Sequence, residues 1–365
     1  MSEWKKYRLS YIIQFNPAEK IVKGTIAKKV AMEHLQPFTR EISGYEFAPF
    51  AGGSKFRNGD TIMARITPCL ENGKTAYVSI LDNDEVGFGS TEYIVFRNIE
   101  GVTDSKYIYY LVTSPWFRNI AIKSMVGSSG RQRVQQSVLE DLEIDLPPIE
   151  EQKRIAGILS ALDDKIELNR RINANLEIQA QTLFNHWFVN IDNTLWQTKK
   201  LGDFFKVRTG KKDANYSTPD GKYPFFTCSQ GALKAPAYSF NGYAILLAGN
   251  GDFNVKRYIG QFEAYQRTYV LMPYENKYHT FLYLLIQYYL PQITGGSRGS
   301  VIKFITKSNI ADFEFKIPNT NFDDKLKVLD SIYQVVDSNN TQSLQLSQLR
   351  DSLLSKLMNG ECASK

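Results

Sequence analysis

The sequence contains the same residue pattern twice, and this internal repeat restricts the possible folds more than any other feature. "DLEIDLP" (141–147) and "DFEFKIP" (312–318) share the order acidic, apolar, Glu, apolar, charged, apolar, Pro at an offset of 171 residues. An alternation of polar and apolar residues that ends at a proline is typical of a short β-strand. The chain is therefore expected to fold as two related structural units.

Other segments repeat in the same order along the chain. A Gly/Ser/Arg-rich loop precedes each predicted strand, and turns that lead into apolar strands lie further upstream. The matching segments are 127–133 with 295–300, 56–66 with 240–249, and 91–96 with 267–272. Because the order is the same in both halves, the similarity indicates a duplication.

A long amphipathic segment follows each predicted strand. Its apolar residues recur at spacings typical of a helix that packs on another helix. In the first copy they are Ile155, Leu159, Leu162, Ile166, Ile172, Leu176 and Leu183, and in the second they are Val328, Ile332, Val335, Leu346, Leu349, Leu353 and Leu357. Four pairs match at an offset of 173, namely Ile155, Leu159, Leu162 and Leu176 with Val328, Ile332, Val335 and Leu349. Asn169 and Asn173 lie near the first stripe, where a buried amide would fix the register of paired helices. The alternative is a pair of ordinary core helices.

Two prolines mark the start of the first long helix. Pro147 and Pro148 end the strand and favour the first helical turn. Glu150 and Glu151 follow, and their charges suit the positive end of the helix dipole. A helix of about forty residues is roughly 60 Å long. An antiparallel pair of such helices is therefore expected to hold two modules apart.

The segments before the helices combine aromatic and β-branched runs with turn residues, and 104–120 and 277–290 have helical patterns. The predicted fold class is α+β, with two mixed modules separated by two long helices that form an antiparallel coiled coil in a pseudo-two-fold repeat. The predicted boundaries are 1–147 for the first module, 148–190 for the first spacer helix, 191–318 for the second module and 319–365 for the second spacer helix.

Positive charge is concentrated in the second module. Residues 199–318 contain 16 basic and 8 acidic residues, whereas the whole chain has a formal net charge of +6. A local excess of this kind suggests a polyanionic partner such as nucleic acid, although solubility alone would also explain it.

Other classes of protein are disfavoured. The sequence has no apolar run of about eighteen residues and no apolar leader, so a soluble, cytoplasmic protein without a membrane partner is expected. Cys69, Cys228 and Cys362 form no C-x-x-C pair, and the chain has only three histidines. Neither a disulfide framework nor a metal site is therefore expected.

Basic and amide side chains near the loops are the candidate DNA contacts. Glycines let backbone N–H groups approach phosphates, and Arg and Asn suit the edges of guanine and adenine. The candidates are Lys55, Arg57, Arg65, Gly127, Ser128, Gly130, Arg131 and Arg133 in the first module, and Lys211, Lys212, Asn250, Lys256, Arg257, Arg267, Gly296, Ser297, Arg298 and Lys303 in the second. Each could instead be an ordinary solvated residue, but the recurrence of the loop favours a function.

Catalytic signatures are nearly absent. The sequence has no phosphate-binding loop, nucleophile elbow, His-based zinc motif or amino-methyltransferase motif. Asp312, Glu314 and Lys316 form D-x-E-x-K, a pattern close to that of metal-dependent nucleases. The first copy has Asp145 in place of the lysine. Alternating charges on the outer face of a strand are the competing interpretation.

The segment 127–188, with P-P-x-E-E-Q-x-x-I at 147–155, resembles the central conserved region of the specificity subunits of type I restriction-modification enzymes. The segment 201–231 resembles the start of their second target-recognition domain, and 325–361 resembles their distal helix. In the second copy "PNTNFDDKLKVL" replaces the P-P-x-E-E-Q core, so the contact made there is expected to differ.

The resemblance implies a subunit without an active site, whose two target-recognition domains read a bipartite, asymmetric site in double-stranded DNA. In that family, two methyltransferase (M) subunits dock on the helices and methylate adenine N6 with S-adenosylmethionine, and restriction (R) motor subunits use ATP and Mg²⁺. This chain is then expected to bind no cofactor itself. A coiled-coil scaffold without sequence readout is the main alternative, followed by a Mg²⁺-dependent nuclease.

Overall fold

The chain divides into two compact units. The computed structural model describes residues 4–191, 194–295 and 304–360. Unit 1 consists of Met1–Arg170 and Asn340–Lys365, and unit 2 consists of Arg171–Asn339. Each unit therefore combines one predicted module with a segment of both long helices.

The first module contains ten strands and four short helices among its described residues. The strands are β1 (Lys5–Arg8), β2 (Ile13–Phe15), β3 (Ile26–Val30), β4 (Glu46–Pro49), β5 (Lys55–Phe56), β6 (Thr61–Ala64), β7 (Thr75–Tyr77), β8 (Gly87–Gly89), β9 (Tyr93–Asn98) and β10 (Glu143–Leu146). The helices are α1 (Leu9–Ile12), α2 (Ser105–Thr113), α3 (Pro115–Lys123) and α4 (Gln136–Glu140), and the first long helix, α5 (Ile149–Phe188), follows.

The second module contains eight strands and three short helices in the part of it that the structure describes. The strands are β11 (Gln197–Lys200), β12 (Phe205–Thr209), β13 (Tyr223–Phe226), β14 (Ala232–Ala235), β15 (Phe240–Ala248), β16 (Val255–Ala264), β17 (Thr268–Pro273) and β18 (Glu314–Ile317). The helices are α6 (His279–Tyr288), α7 (Leu290–Thr294) and α8 (Lys307–Ala311), and the second long helix, α9 (Asp323–Met358), follows.

The sheets confirm the internal repeat. Unit 1 contains an antiparallel sheet of order β2-β9-β6-β7, and unit 2 reproduces this order as β12-β17-β15-β16, extended by β13 and β14. In each unit the first strand pairs with the last, as β1 with β10 and β11 with β18. Unit 1 has a further sheet of order β4-β3-β8-β5. The predicted α+β class is confirmed.

The two strands that revealed the repeat lie where the alternation placed them. On β10 the side chains of Ile144 and Leu146 are buried while the acidic ones face solvent. On β18 Phe315 and Ile317 are buried in the same way. A strand with one buried and one solvated face has the two-residue period that the sequence shows.

The P-P-x-E-E-Q motif attaches the start of α5 to the first module. The side chain of Gln152 is fully buried. Its amide N–H groups donate to the carbonyls of Val102 (3.0 Å) and Pro147 (2.8 Å), and its Oε1 accepts from the N–H of Asp104 (3.0 Å). Leu326 occupies the equivalent position in α9 and is buried in the apolar core. The contact in the second copy is thus apolar and differs from that in the first copy, as predicted.

The predicted second apolar stripe is correct at Leu357, which is buried, but at three other positions its phase is wrong by one residue. Val328, Val335 and Leu349 are exposed. The buried apolar residues of α9 are Leu326, Leu329, Tyr333, Val336, Leu354 and Leu357. The link from β10 to α5 has two residues, whereas the link from β18 to α9 has five. The three additional residues raise the offset from 171 in the strands to 174 in the helices, instead of the 173 inferred from sequence.

The two long helices pair in antiparallel fashion inside each unit. In unit 1, Asp163 contacts Arg350 (2.7 Å), and the Asn169 amide donates to Gln342 Oε1 (2.9 Å) and Ser343 Oγ (3.2 Å). Residues further along α5 therefore contact residues closer to the start of α9, so the two helices are antiparallel.

In unit 2 the same direction holds. The Asn173 amide donates to the Val336 carbonyl (3.2 Å) and its Oδ1 accepts from Asn339 (2.8 Å), while Lys325 lies over the Trp187 ring. Both predicted asparagines are buried and bonded to the other helix. Their bonds are specific to this register, because a sliding helix would leave buried amides without partners.

Each unit has one large core that includes both helices. In unit 1, residues of β2, β6, β9 and α1–α4 pack with Ile155 and Leu159 of α5 and with Leu354 and Leu357 of α9. In unit 2, residues of β15, β17 and α6–α8 pack with α5 and α9 around Phe184. In the described part of the chain, no helix has the length and apolar composition needed to cross a membrane.

A buried histidine makes the stability of unit 2 depend on pH. His279 is 1% exposed, its Nε2 lies 3.0 Å from the carbonyl oxygen of Ala244, and its buried Nδ1 has no hydrogen-bond partner among the described residues. Burial lowers the pKa of His279 to about 4. The unfolded chain therefore binds a proton between about pH 6.5 and pH 4 that the folded chain does not, and stability falls as the pH falls through this window.

We expect the free energy of unfolding to decrease by about 2 kcal/mol between pH 7.5 and pH 5 through this group alone. Urea denaturation followed by circular dichroism measures it, and His279→Gln should remove this part of the pH dependence. An identical slope in the variant would show that His279 is not the responsible group.

Candidate nucleic-acid interface

In unit 1 the end of strand β6 meets the Gly/Ser/Arg loop. The Arg65 N–H donates to the carbonyl of Glu92 (2.9 Å), and the Arg65 carbonyl accepts from the N–H of Val134 (2.8 Å). Val126 and Arg133 exchange two backbone hydrogen bonds (3.0 and 2.8 Å) and close the loop between them. Candidates that are about seventy residues apart in sequence thus become neighbours.

The loop itself presents its side chains to solvent. Ser128 and Arg131 are exposed, as are Gly127 and Gly130. The two glycines have φ values of 129° and 77°, a region that residues with a Cβ rarely adopt. The glycines therefore permit the tight reversal that places Arg131 at the surface.

Glu92 holds two of the predicted cations, and the sequence analysis missed it. Nε and Nη2 of Arg133 donate to its carboxylate at 3.0 and 2.7 Å, and Nε of Arg65 donates at 3.3 Å. The hydrogen bond from Arg133 holds the pKa of the Glu92 carboxyl below its usual range. Glu92 lies within the repeated segment 91–96, immediately before β9, and this was the available signal. These two arginines are thus held in position by a shared anion.

Lys55 and Arg57 lie beside Glu19. Nε of Arg57 donates to the Glu19 carboxylate at 2.6 Å, and Arg97 donates to the same carboxylate at 2.7 Å. The Lys55 ammonium donates to the Glu19 backbone carbonyl. Lys55 and Arg65 also line one groove of about 350 Å³. Arg57 is thus part of an ion network within the module, whereas Lys55 and Arg65 share an open surface.

The same strand-end geometry recurs in unit 2. The Gly249 N–H donates to the carbonyl of Arg267 (2.9 Å), and the Gly249 carbonyl accepts from the N–H of Ile305 (3.1 Å). Gly249, Arg267 and Ile305 are thus the counterparts of Arg65, Glu92 and Val134. Arg267 is exposed. A cation in unit 2 therefore stands where unit 1 has a carboxylate.

Polar side chains surround this strand end in unit 2. The Cys228 thiol donates to Asn250 Oδ1 (2.9 Å), and the Asn254 amide donates to the Cys228 carbonyl (2.8 Å). The Lys256 ammonium donates to Asn254 Oδ1, and burial lowers the pKa of Lys256. Asn250 and Lys256 are thus brought together through two residues that the sequence analysis did not select.

Lys211 and Lys212 border the turn that carries Arg267. The N–H of Gln266 donates to the Lys212 carbonyl at 2.9 Å, and the Lys212 ammonium lies 4.3 Å from the centre of the Tyr216 ring. Lys211 is exposed. The second strand end therefore gathers Lys211, Lys212 and Arg267.

Arg257 requires a correction. Its side chain is 7% exposed and its Nη1 contacts both carboxylate oxygens of Asp337 on α9 (2.8 and 2.7 Å). Its guanidinium also lies 5.0 Å from the centre of the Tyr333 ring. Lys256 and Arg257 are consecutive residues of β16, so their side chains face opposite sides of the sheet, and that of Arg257 faces α9. Arg257 is therefore an internal contact rather than a surface cation. The candidates Gly296, Ser297, Arg298 and Lys303 lie outside the described residues.

Glu314 and Lys316 of the D-x-E-x-K pattern lie on the two-stranded sheet of β11 and β18, and Asp312 precedes β18. Glu314 and Lys316 are on the exposed face of β18, and the Lys200 ammonium of β11 lies 3.9 Å from Asp312 and from Glu314. Among the residues that the structure describes, no three His, Cys, Asp or Glu side chains are grouped so that they could hold a metal ion. Alternating surface charges on a strand account for the pattern.

Comparison with known proteins identifies the family. Residues 1–178 and 193–348 match the family described as the type I restriction modification DNA specificity domain. These two segments cover most of the chain and correspond to its two copies. The protein belongs to this family.

Individual relatives support the assignment to this family. The chain is 40% identical over 171 residues to the type I restriction enzyme EcoDI specificity subunit of Escherichia coli, an overlap of 46% of this chain and 38% of that protein. It is 26% identical over 312 residues to the MjaIX specificity subunit of Methanocaldococcus jannaschii, covering 73% and 71% of the two chains.

One solved structure shares the fold. The type I restriction-modification S subunit from M. genitalium superposes with a TM-score of 0.59 at 17% identity, covering 98% of this chain and 96% of that one. The arrangement of two modules and two long helices is thus found in a known fold.

The Glu92 contacts predict the effect of removing its charge. In Glu92→Gln, we expect the amides of Val126 and Arg133 to exchange with deuterium about two- to fivefold faster, because partly exposed ion pairs contribute up to about 1 kcal/mol. Hydrogen exchange measured by mass spectrometry tests this. Glu100→Gln, on an exposed turn, is the matched control. Unchanged exchange in Glu92→Gln would show that the ion pairs do not order the loop.

Proposed function

We propose that this chain is the DNA sequence-recognition subunit of a type I restriction-modification complex and that each unit reads one half of a bipartite site. The observation that carries the proposal is the recurrence of one backbone arrangement at the end of β6 and of β15. Cationic side chains lie beside both strand ends, and amide side chains lie beside the second. Membership of the specificity-domain family supports it.

Unit 1 offers the chemistry of phosphate and guanine recognition. Arg131 is exposed on a loop whose glycines let backbone N–H groups approach a phosphate. Arg65 and Arg133 are oriented by Glu92. A guanidinium held in a fixed orientation can donate two hydrogen bonds to the major-groove edge of guanine. Lys55 adds charge on the adjoining groove.

Unit 2 presents a different set of donors. Asn250 has an amide N–H₂ group that suits adenine, Arg267 suits guanine or phosphate, and Lys211 and Lys212 supply charge. Since one unit has a carboxylate where the other has a cation, the two half-sites should have different sequences. The complete site is therefore asymmetric.

The chain is proposed to be non-catalytic and to position other subunits. Two methyltransferase (M) subunits would bind the helices and methylate adenine N6 with S-adenosylmethionine, and restriction (R) motor subunits would supply ATP- and Mg²⁺-dependent translocation and cleavage. Sequence-specific binding by this chain would then determine which adenines are modified.

The proposal is tested by expressing the chain with its methyltransferase partner and mapping methylated adenines on genomic DNA. A two-part motif with a fixed gap is expected. Competition binding with specific and scrambled duplexes at one salt concentration is the complementary measurement, since phosphate contacts alone are sequence-independent. Equal binding to both duplexes would favour a scaffold without sequence readout.

Two arginines test whether the units read separately. Arg131→Ala and Arg267→Ala should each weaken binding to the full site by about tenfold or more, in line with the loss of a base contact. Each variant should lose its defect on a duplex in which the half-site of its own unit is scrambled. The scrambled half should be a different one for each variant.

The control is Lys153→Ala, which removes one positive charge from the exposed face of α5, where Lys153 forms an ion pair with Glu150 of the same helix. It should change affinity by less than about threefold, as expected for a distant charge. If Arg131→Ala and Arg267→Ala reduced binding to every duplex equally, independent reading would be ruled out.

A further inference from the structure

Each long helix has an aspartate that accepts hydrogen bonds from the module of its own unit, and the two aspartates are equivalent in the repeat. They are Asp163 of α5 in unit 1 and Asp337 of α9 in unit 2. They are 174 residues apart, the same offset that separates Ile149 and Asp323, where the two helices begin. The duplication has therefore kept a carboxylate at one helical position.

In unit 1 the carboxylate of Asp163 joins the module to both helices. Its Oδ2 accepts from the hydroxyl of Tyr110 on α2 at 2.6 Å, and its Oδ1 accepts from Nη1 of Arg350 on α9 at 2.7 Å. Asp163 is 5% exposed and Tyr110 is 1% exposed. Charged groups in such a dry site tolerate little change in geometry, because a lost partner leaves a buried charge uncompensated.

A second contact from the module lies within one helical turn. The guanidinium of Arg40 donates to the carboxylate of Asp164 and to the backbone carbonyl of Ser160 (3.4 Å). Arg40 is 8% exposed and also contacts Glu41 at 2.8 Å. Two separated contacts prevent the module from turning about either of them.

In unit 2 the module reaches the equivalent carboxylate with a different side chain. Arg257 of β16 contacts both oxygens of Asp337, and its guanidinium lies over the ring of Tyr333, one turn earlier on α9. The donor has thus changed from a tyrosine on a helix to an arginine on a strand, while the acceptor has remained. A retained acceptor with exchanged donors indicates a requirement at that position of the helix.

We propose that Asp163 and Asp337 are positioning residues that fix the orientation of each module on the helices and thereby the gap between half-sites that the protein accepts. The inference rests on the proposed function, because a gap exists only if both units read DNA. Apolar contacts tolerate several similar packings, whereas a directional ion pair with a buried member is best satisfied in one arrangement. The buried member is Asp163 in unit 1 and Arg257 in unit 2, where Asp337 itself is 44% exposed. Removing either pair leaves base recognition intact and allows the module a range of orientations.

The experiment measures binding to duplexes that carry both native half-sites with the native gap, one base pair fewer or one more. Wild type is expected to prefer the native gap strongly. Asp163→Asn and Asp337→Asn keep the shape of the side chain but remove its charge, and each should reduce this preference about tenfold. Their response to single-base changes within the half-sites should equal that of wild type.

Two controls remove a carboxylate from the same helices without touching a module. Glu150→Gln in α5 and Asp324→Asn in α9 alter exposed residues that form ion pairs with Lys153 and Lys327 of their own helix. Both should keep the wild-type gap preference. Tyr110→Phe removes only the hydroxyl donor and leaves the ion pair of Asp163 with Arg350 in place. If Asp163→Asn does not fold, the gap preference of Tyr110→Phe tests the proposal instead, and it should be reduced.

The possible outcomes distinguish failure of the positioning role of the two aspartates from failure of the proposed function. A broadened gap preference with unchanged base preference supports the proposal. An unchanged gap preference in folded variants, or an equal loss of affinity at every gap, overturns it and leaves the proposed function standing. If wild type itself binds scrambled duplexes as well as specific ones, the proposed function fails.

Discussion

The antiparallel pairing of α5 with α9 is the constraint on which the remaining structure depends. Residues of both helices contribute to the main core of each unit, and each module has in addition a smaller apolar core that includes neither helix. Like most helices in proteins, these helices of 40 and 36 residues gain most of their stability from the packing of their apolar faces and less from intrinsic propensity. The modules and the helices therefore stabilise one another.

The paired helices are joined by polar contacts as well as apolar ones, and the polar contacts restrict their register. Asn169 and Asn173 are buried and bond to specific groups of the opposite helix. Buried polar groups contribute little net stability, but leaving one unsatisfied costs about 1–3 kcal/mol. Sliding by one turn would incur that cost at several sites at once. Such contacts fix the register of the two helices within each unit.

The duplicated modules show how one backbone can present two different surfaces. The hydrogen bonds of Arg65 with Glu92 and Val134 have counterparts at Gly249, Arg267 and Ile305. Strand order and register keep these positions in place, because a slip of one residue would turn buried side chains to solvent. Side chains at the strand ends are not needed to fill the core, so their charges could diverge while the fold stayed the same.

The sequence by itself determined the repeat, the strands at 141–147 and 312–318, the two long helices, the proline boundary at Pro147 and the family, because these depend on local periodicity and on a specific motif. Only the tertiary structure decided which face of α9 is buried, since the phase depends on three additional linker residues whose path is not encoded in a periodic pattern. Likewise, the roles of Arg257 and Glu92 depend on partners that are distant in sequence. Arg257 forms an ion pair with Asp337, and Glu92 forms an ion pair with Arg133. A charged residue is a surface contact or an internal one according to what the fold places next to it, and local sequence does not contain that information.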